Sequence, residues 1–464
     1  MAEQPLESPT DGREPVTGAL PHDAGRAPRF ALSGRRWRQL GSVGLLGALA
    51  AGLMLGARSR GGVPKTAILG TPAATLWRQT LGVPSKEFDV PGLGRLPSLR
   101  AMQRWDLGEG RTMIDDVSGS LGVFLSSDRS FRLVRFHDDQ PPAEVGAAPA
   151  NDKNYAQLEA GGRRLITLAS NGWMGDGSFV AARSEIFDIE DPDHPIKVGE
   201  IALETDQQTV QPWGDYILVG ESRMGPTPLT GSLRVIQLLG PEPGKEVGRL
   251  DGETRDVAVD GDRAYLIRSC GGRAQPTEPP EFFPEEPVQP PPIMMETDPN
   301  FPDCLGVVDL SDASRPGLIA EVEMPVNSYP SAIAAHGGYV YMAQPHEGIL
   351  IADARGSGAP VFVDARTAKD MKDPMVIDSG GFLGLAVNGS VLYFGNHTTI
   401  AAFDLSAPEA PKPLAAIELG QADLIDTMTL DNGRLYVSTG DMWGGGPFGL
   451  WVIDAPADPA ELPR

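Results

Sequence analysis

From about residue 110 to the C-terminus, the chain is written in short runs that alternate apolar and polar residues between turns. One recurring phrase ends an apolar run in aspartate, passes through a polar turn containing proline, and opens a second alternating run. "EIFDIEDPDHPIKVGEIAL" (185–203), "VVDLSDASRPGLIAEVEM" (307–324) and "AAFDLSAPEAPKPLAAIEL" (401–419) are three copies. The aspartate recurs at Asp188, Asp309, Asp353, Asp404 and Asp454. Weaker copies, "FRLVRFHDDQPPAEVG" (131–146) and "LRVIQLLGPEPGKEVGRL" (233–250), place Arg135 and Gln237 in that position. Before most copies lies a second phrase: "DVAVDGDRAYLIR" (256–268), "AIAAHGGYVYMA" (332–343), "LAVNGSVLYFG" (385–395) or "MTLDNGRLYVS" (428–438). Strict alternation argues strands, and Gly261, Gly337, Gly389 and Gly433 supply the positive φ that tight hairpins need. Each unit therefore provides four antiparallel strands.

Seven such units follow one another with a period of roughly fifty residues, and the longer interval between Gln237 and Asp309 carries an insertion. Four short strands repeated in this way predict a β-propeller, because one such sheet cannot bury both of its faces alone. The last unit ends shortly after "GLWVIDAPADPAELPR", without a full outer strand. Residues near "LRAMQRWDLGE" (99–109) are expected to complete that blade and close the ring, which removes an exposed edge. The predicted fold is thus all-β, a propeller of about seven four-stranded blades, preceded by an N-terminal signal or anchor helix. The expected organisation is a disordered polar segment over 1–34, a signal peptide or membrane anchor over 35–60, a linker over 61–94, and the propeller over 95–464.

"EGILIADARGSGAPVFV" (347–363) and "CLGVVDLSDASRPGLIAEV" (304–322) resemble the LVIVD repeat of bacterial exported and surface propellers. The resemblance covers most of the chain from about residue 110 onward. It implies a propeller architecture in a family whose members mostly lack a defined activity. The first and third units depart from the pattern, since Arg135 and Gln237 stand where aspartate is usual. The repeated aspartate itself reads as structural. A short carboxylate at a strand end accepts backbone N–H bonds in the turn that follows, with proline fixing φ nearby. Catalysis needs one constellation rather than five copies.

The N-terminus changes the picture of compartment. Arg35, Arg36 and Arg38 precede an uncharged run from Gly41 to Ala57. Such a run is compatible with a cleaved signal peptide or with a retained anchor, and Arg35-Arg36 loosely resembles a twin-arginine export signal. Either arrangement puts the body outside the cytoplasm, because the positive cluster stays inside. The periplasm, envelope or cell surface of a bacterium is the expected location. The net charge is −23, and the acidic side chains lie mostly beyond this basic N-terminus. An acidic body is expected to repel nucleic acid and anionic lipid, so the membrane would be met only through the N-terminal helix.

Function is sought where the repeat is interrupted. In a propeller the connection between second and third strands emerges on the same face as the inter-blade connections. Enlarged connections occur at "SNGWMGDGSFVAARS" (170–184), "ESRMGPTPLTGS" (221–232), 271–303 and "TGDMWGGGPFG" (439–449). Trp173, Met174, Phe179, Met224, Trp443 and Phe448 are candidate contact residues there; folding back to plug the channel or cover a blade edge is the alternative. The insertion 273–303 has ten prolines and a single basic residue, Arg273. That composition favours extended polyproline II over strand pairing. Phe282, Phe283, Met294 and Met295 are its apolar points, and it reads equally as a recognition loop or a surface excursion. Cys270 closes one strand and Cys304 opens the next, so the only two cysteines should face each other and form a disulfide in an oxidising compartment. A loop of this size gives such a bond about 3–4 kcal/mol of stabilisation on chain-entropy grounds.

Candidate chemistry adds little. The six histidines are scattered. His336 sits in a hairpin turn and His194 in an outer turn, while His346 and His397 fall in equivalent turns of adjacent blades. No nucleophile elbow, phosphate loop or zinc motif is present, and no catalytic residue, metal or cofactor is assigned. The leading expectation is a monomeric propeller binding a protein or small extracellular ligand through its loop face. The alternative is a lactonase- or quinoprotein-like enzyme with a metal or cofactor in the central channel, calcium for instance. Gln208, Arg255, Asp256, Ser331 and Asp426 would converge there. A purely structural envelope component is the third reading. The cysteine pairing predicts that a thiol-alkylating reagent labels nothing until the denatured chain is reduced, and then labels two positions; two labels without reduction would refute it.

Overall fold

The computed structural model describes residues 77–80, 88–90, 93–107, 114–126, 130–137, 142–150, 155–159, 162–168, 183–203, 207–222, 231–270, 303–325, 330–344, 348–367, 383–419, 424–440 and 448–463. The N-terminal segment containing the signal or anchor run lies outside them. Among the described residues no helix is long and apolar enough to cross a membrane.

Seven antiparallel sheets follow the seven sequence units. Blade 1 is Ile114–Ser118, Leu121–Leu125, Ser130–Arg135 and Ala143–Pro149; blade 2 is Tyr155–Glu159, Arg164–Leu168, Arg183–Asp188 and Ile196–Ala202. Blade 3 is Gln207–Trp213, Tyr216–Ser222, Gly231–Gln237 and Glu246–Asp251; blade 4 is Asp256–Asp260, Arg263–Ser269, Asp303–Asp309 and Gly317–Glu323. Blade 5 is Ala332–His336, Tyr339–Gln344, Gly348–Asp353 and Val361–Thr367; blade 6 is Leu383–Asn388, Val391–Asn396, Thr399–Asp404 and Lys412–Glu418. Blade 7 takes Leu424–Asp431, Arg434–Gly440 and Phe448–Asp454 from the C-terminus, and its fourth strand, Ala101–Leu107, from the N-terminus. The ring is therefore closed by the residues expected to close it.

The N-terminal chain does more than close the ring. Within the stretch read as a linker, Trp77–Thr80 adds a fifth strand to blade 7 by pairing with Ala101–Leu107. Phe88–Val90 and Gly94–Leu96 form a small hairpin, and Val90 and Leu96 enter the core between blades 5 and 6. Leu99 N–H then donates to Ala416 O at 2.8 Å, and Ala416 N–H donates to Pro97 O at 3.0 Å, so this segment covers the outer edge of blade 6. Covering two edges blunts strand addition by other chains.

The core divides into seven apolar clusters, one for each blade junction. Alternation along a strand makes this possible, because successive side chains leave opposite faces of the sheet. Val307 packs towards blade 5 while its neighbour Val308 packs towards blade 3. The last cluster joins Trp105, Tyr436, Leu450 and Val452 of blade 7 to Val117, Phe124 and Val134 of blade 1.

The repeated phrase builds the turn that meets the preceding blade. Asp188, Asp309, Asp353 and Asp404 each accept the amide two residues on through Oδ1, at 3.0, 2.9, 3.1 and 2.7 Å. The next residue is apolar and buried in every blade: Phe136, Ile189, Leu238, Leu310, Ala354, Leu405 and Ala455. Each of these donates its amide to a carbonyl of the same blade's first hairpin turn, at 2.8–3.0 Å. Arg135 and Gln237 hold the same register as the aspartates, each the last residue of its third strand. They assign blades 1 and 3 through pairing rather than through residue type.

The proline turns of blades 2, 3 and 4 seat against glycines of the blade before. A Cβ at Gly146, Gly199 or Gly248 would run into the carbonyl oxygen of Pro192, Pro243 or Ala313. Tyrosines of the second strand reach the same turns further round the ring. Tyr393 Oη donates to Pro456 O at 2.8 Å, Tyr341 Oη to Pro408 O at 3.4 Å, and Tyr436 packs at a tilt against Phe136 with centroids 5.2 Å apart. Gly146→Ala is expected to lower stability by about 1–3 kcal/mol through overpacking, measured by urea unfolding. Gly317→Ala, with open space at its Cβ, should change it far less.

Candidate binding face

Antiparallel order puts every second-to-third-strand connection at the same end of the ring as the entries to the next blade. Three of the enlarged connections are consecutive, in blades 2, 3 and 4, and beneath those of blades 3 and 4 lie described residues that are polar and buried.

In blade 3, Glu221 at the end of the second strand is fully buried. It accepts from Ser232 Oγ at 3.1 Å and from Arg234 Nη1 at 3.1 Å. Arg234 also donates to Glu246 at 2.5 Å and to Ala202 O of blade 2 at 2.6 Å. Glu246 accepts from Arg249 as well, at 2.8 Å, and these hydrogen bonds, Arg249's first, hold its carboxyl below the ordinary range. A guanidinium that satisfies several acceptors at once can be buried without an orphaned charge.

In blade 4, the two legs of the insertion are fastened twice. Cys270 and Cys304 form a disulfide with Cα atoms 5.0 Å apart. Beside it, the segment entering the inner strand supplies Glu253 and Arg255. Glu253 accepts from Ser269 on one leg, and Arg255 pairs with Asp303 on the other. Burial holds the Asp303 carboxyl above its ordinary range, against the pull of Arg255. Arg268, on the same strand as Ser269, pairs with Glu321 at 3.3 Å and donates to Asp251 O.

Of the expected contact residues, Trp173, Met174, Phe179, Met224, Phe282, Phe283 and Trp443 lie outside the described residues, as do Met294, Met295 and His346. Phe448 begins the third strand of blade 7, in register with Leu107; its side chain lies outside the description. The channel candidates are engaged where they can be described. Arg255 is held by Asp303, and Asp256 accepts from Thr209 at 3.0 Å and from Val257 N–H at 2.9 Å. Ser331 donates to Ala343 O at 3.4 Å. The side chains of Gln208 and Asp426 are not among those described. His397 is buried in its turn with φ +49°, and His194 sits at the surface 3.0 Å from Asp191. Among the described residues, no three His, Cys, Asp or Glu side chains are grouped to hold a metal ion.

Sequence reasoning missed Glu221, Arg234, Glu253 and Asp303. A faint signal existed for one of them: Arg234 interrupts the apolar run between Leu233 and Val235.

No protein-family model matches the chain, and no curated protein matches it. Among solved structures it is similar to Sqt1 of Saccharomyces cerevisiae, with 10% identity and a TM-score of 0.44, over 74% of this chain and 83% of that one. The chain is a seven-bladed β-propeller. That statement rests on its own strand order and on the seven junction cores.

The clamp beneath the insertion makes a specific prediction. Arg255→Ala leaves Asp303 buried without its cation, which should cost about 3 kcal/mol in urea unfolding under oxidising conditions. Asp303→Asn removes the charge but keeps the shape and should cost clearly less.

Proposed function

We propose that this protein is an exported or membrane-tethered propeller of the LVIVD-like kind, which displays the loops of one face to a protein partner. The observation that supports the reading most is the fastening of the Pro-rich insertion at its base. A disulfide and an ion-pair clamp hold both legs to the blade, as suits an element presented from a rigid frame. Rigid presentation lowers the ordering cost of association, and aromatic and methionine side chains on enlarged loops supply anchors. Four of the five repeated aspartates are occupied in their turns, which leaves the loop face as the place where this chain differs from a plain ring.

The disulfide favours an oxidising compartment, in keeping with the basic cluster and apolar run near the N-terminus. The periplasm, envelope or cell surface is the proposed location, with Trp173, Met174, Phe179, Met224, Phe282, Phe283, Trp443 and Phe448 as proposed contacts.

The test is native purification of the full chain and of a variant lacking 274–302, which keeps both cysteines, with mass spectrometry of co-purifying proteins and elemental analysis. A stoichiometric partner retained by the full chain and lost by the variant is expected. A metal or cofactor held tightly by both, with no partner, would overturn the reading in favour of channel chemistry.

A further inference from the structure

At one height in the ring the inner strands differ between blades. Blades 4, 5 and 6 carry Ala258, Ala334 and Ala386, each paired across its hairpin with a tyrosine. Blades 7, 1, 2 and 3 carry Thr429, Asp116, Gln157 and Gln211 at the equivalent positions. All four side chains are buried. Gln157 Nε2 donates to Val210 O at 3.4 Å, bridging blades 2 and 3.

Asp116 stands at the joint where the N- and C-terminal parts of the ring meet, and it touches three blades. Its Oδ1 accepts from Val117 N–H at 2.9 Å in its own blade and from Thr429 Oγ1 at 3.1 Å in blade 7. Its Oδ2 accepts from Leu158 N–H at 2.9 Å in blade 2. The residue is 4% exposed, and among the described residues no Lys, Arg or His contacts it. A second buried carboxylate, Asp431, spans the same joint and accepts from Ser120 N–H at 3.3 Å. The other described ionisable side chains on the packed strands are Asp115 on its own strand, Glu159 in blade 2, and Arg434 and Tyr436 in blade 7. Asp115 accepts from Ala156 N–H at 3.2 Å, and Arg434 is in register with Asp431. Tyr155 and Asp426 lie on these strands too, with side chains outside the description.

A carboxylate buried beside other carboxylates, with no cation in contact, favours its neutral form. We propose that the joint between blades 7 and 1 is a pH-responsive clasp: the ring is held tightest while Asp116 carries a proton and loosens as that proton leaves. Burial pushes this carboxyl up to about 7; the bonds from Leu158, Val117 and Thr429 oppose the rise, and the nearby Asp431 charge adds to it. An unfolded aspartate ionises near pH 4. Between about pH 4 and 7 the folded chain therefore holds a proton that the unfolded chain has lost, and the unfolding constant rises about tenfold per pH unit on this account. Outside that window Asp116 contributes no slope.

The test is urea unfolding of the full chain and of Asp116→Asn between pH 4.5 and 8. Groups not coupled to Asp116 contribute equally to both proteins, so the difference in slope reports this proton. A difference of about one proton near pH 5.5 is expected. Coincident slopes would overturn the proposal. Should Asp116→Asn fail to fold, Asp431→Asn decides: it keeps every Asp116 contact and removes the adjacent charge, so the window must move to lower pH. An unmoved window would likewise overturn it.

Discussion

Each four-stranded sheet of this chain carries apolar side chains on both faces, so no blade can bury its own core. The burial has to come from neighbours, and in a ring every neighbour must be present. Seven junction clusters meet that requirement, and the seventh is completed by Trp105 of Ala101–Leu107, which returns to pair with the C-terminal strand. Closure is the constraint on which the remaining features depend. Without it one sheet face and two strand edges would be left to water or to other chains.

The recurring Asp-Pro turn makes neighbouring blades meet at the right distance. Its aspartate organises the turn, its buried apolar residue ties the turn to the first hairpin, and its proline side rests on the blade before. Where glycine admits a carbonyl, in blades 1 to 3, the turn sits directly on the fourth strand. Further round, tyrosines of the second strand reach it instead. These are two solutions to one packing problem. A residue type repeated around a ring is explained by this geometry before any chemistry is invoked.

The opposite end of the ring is freed from such duties, and the chain uses it differently. Under the consecutive enlarged connections of blades 3 and 4 lie buried ion pairs rather than a plain apolar floor. Buried pairs are weak sources of stability but define geometry well, because an ill-placed partner leaves a charge uncompensated. A frame that positions loops benefits from that trade. The inner belt of Thr429, Asp116, Gln157 and Gln211 shows the same preference at the joint, where sewing by hydrogen bonds replaces the alanine–tyrosine packing of blades 4 to 6.

Much of this architecture was legible in the residues themselves. Alternation and turn glycines marked the strands, the recurrence of the four-strand unit, its two weaker copies included, gave the blade count, and the truncated last unit announced a borrowed strand. The cysteines were pairable because both flank one hairpin connection. These are local properties: strand period, turn preference and proximity along the chain are all determined within a few residues. The edge cover by Trp77–Thr80 and by residues 97–99 was not legible, since short strands without a repeat carry no register of their own. Nor were the Arg234 network, the Glu253–Arg255 clamp or the Asp116 joint. Each joins groups from different strands or blades, and whether a charged side chain is buried, and beside what, is decided only when the ring brings those elements together.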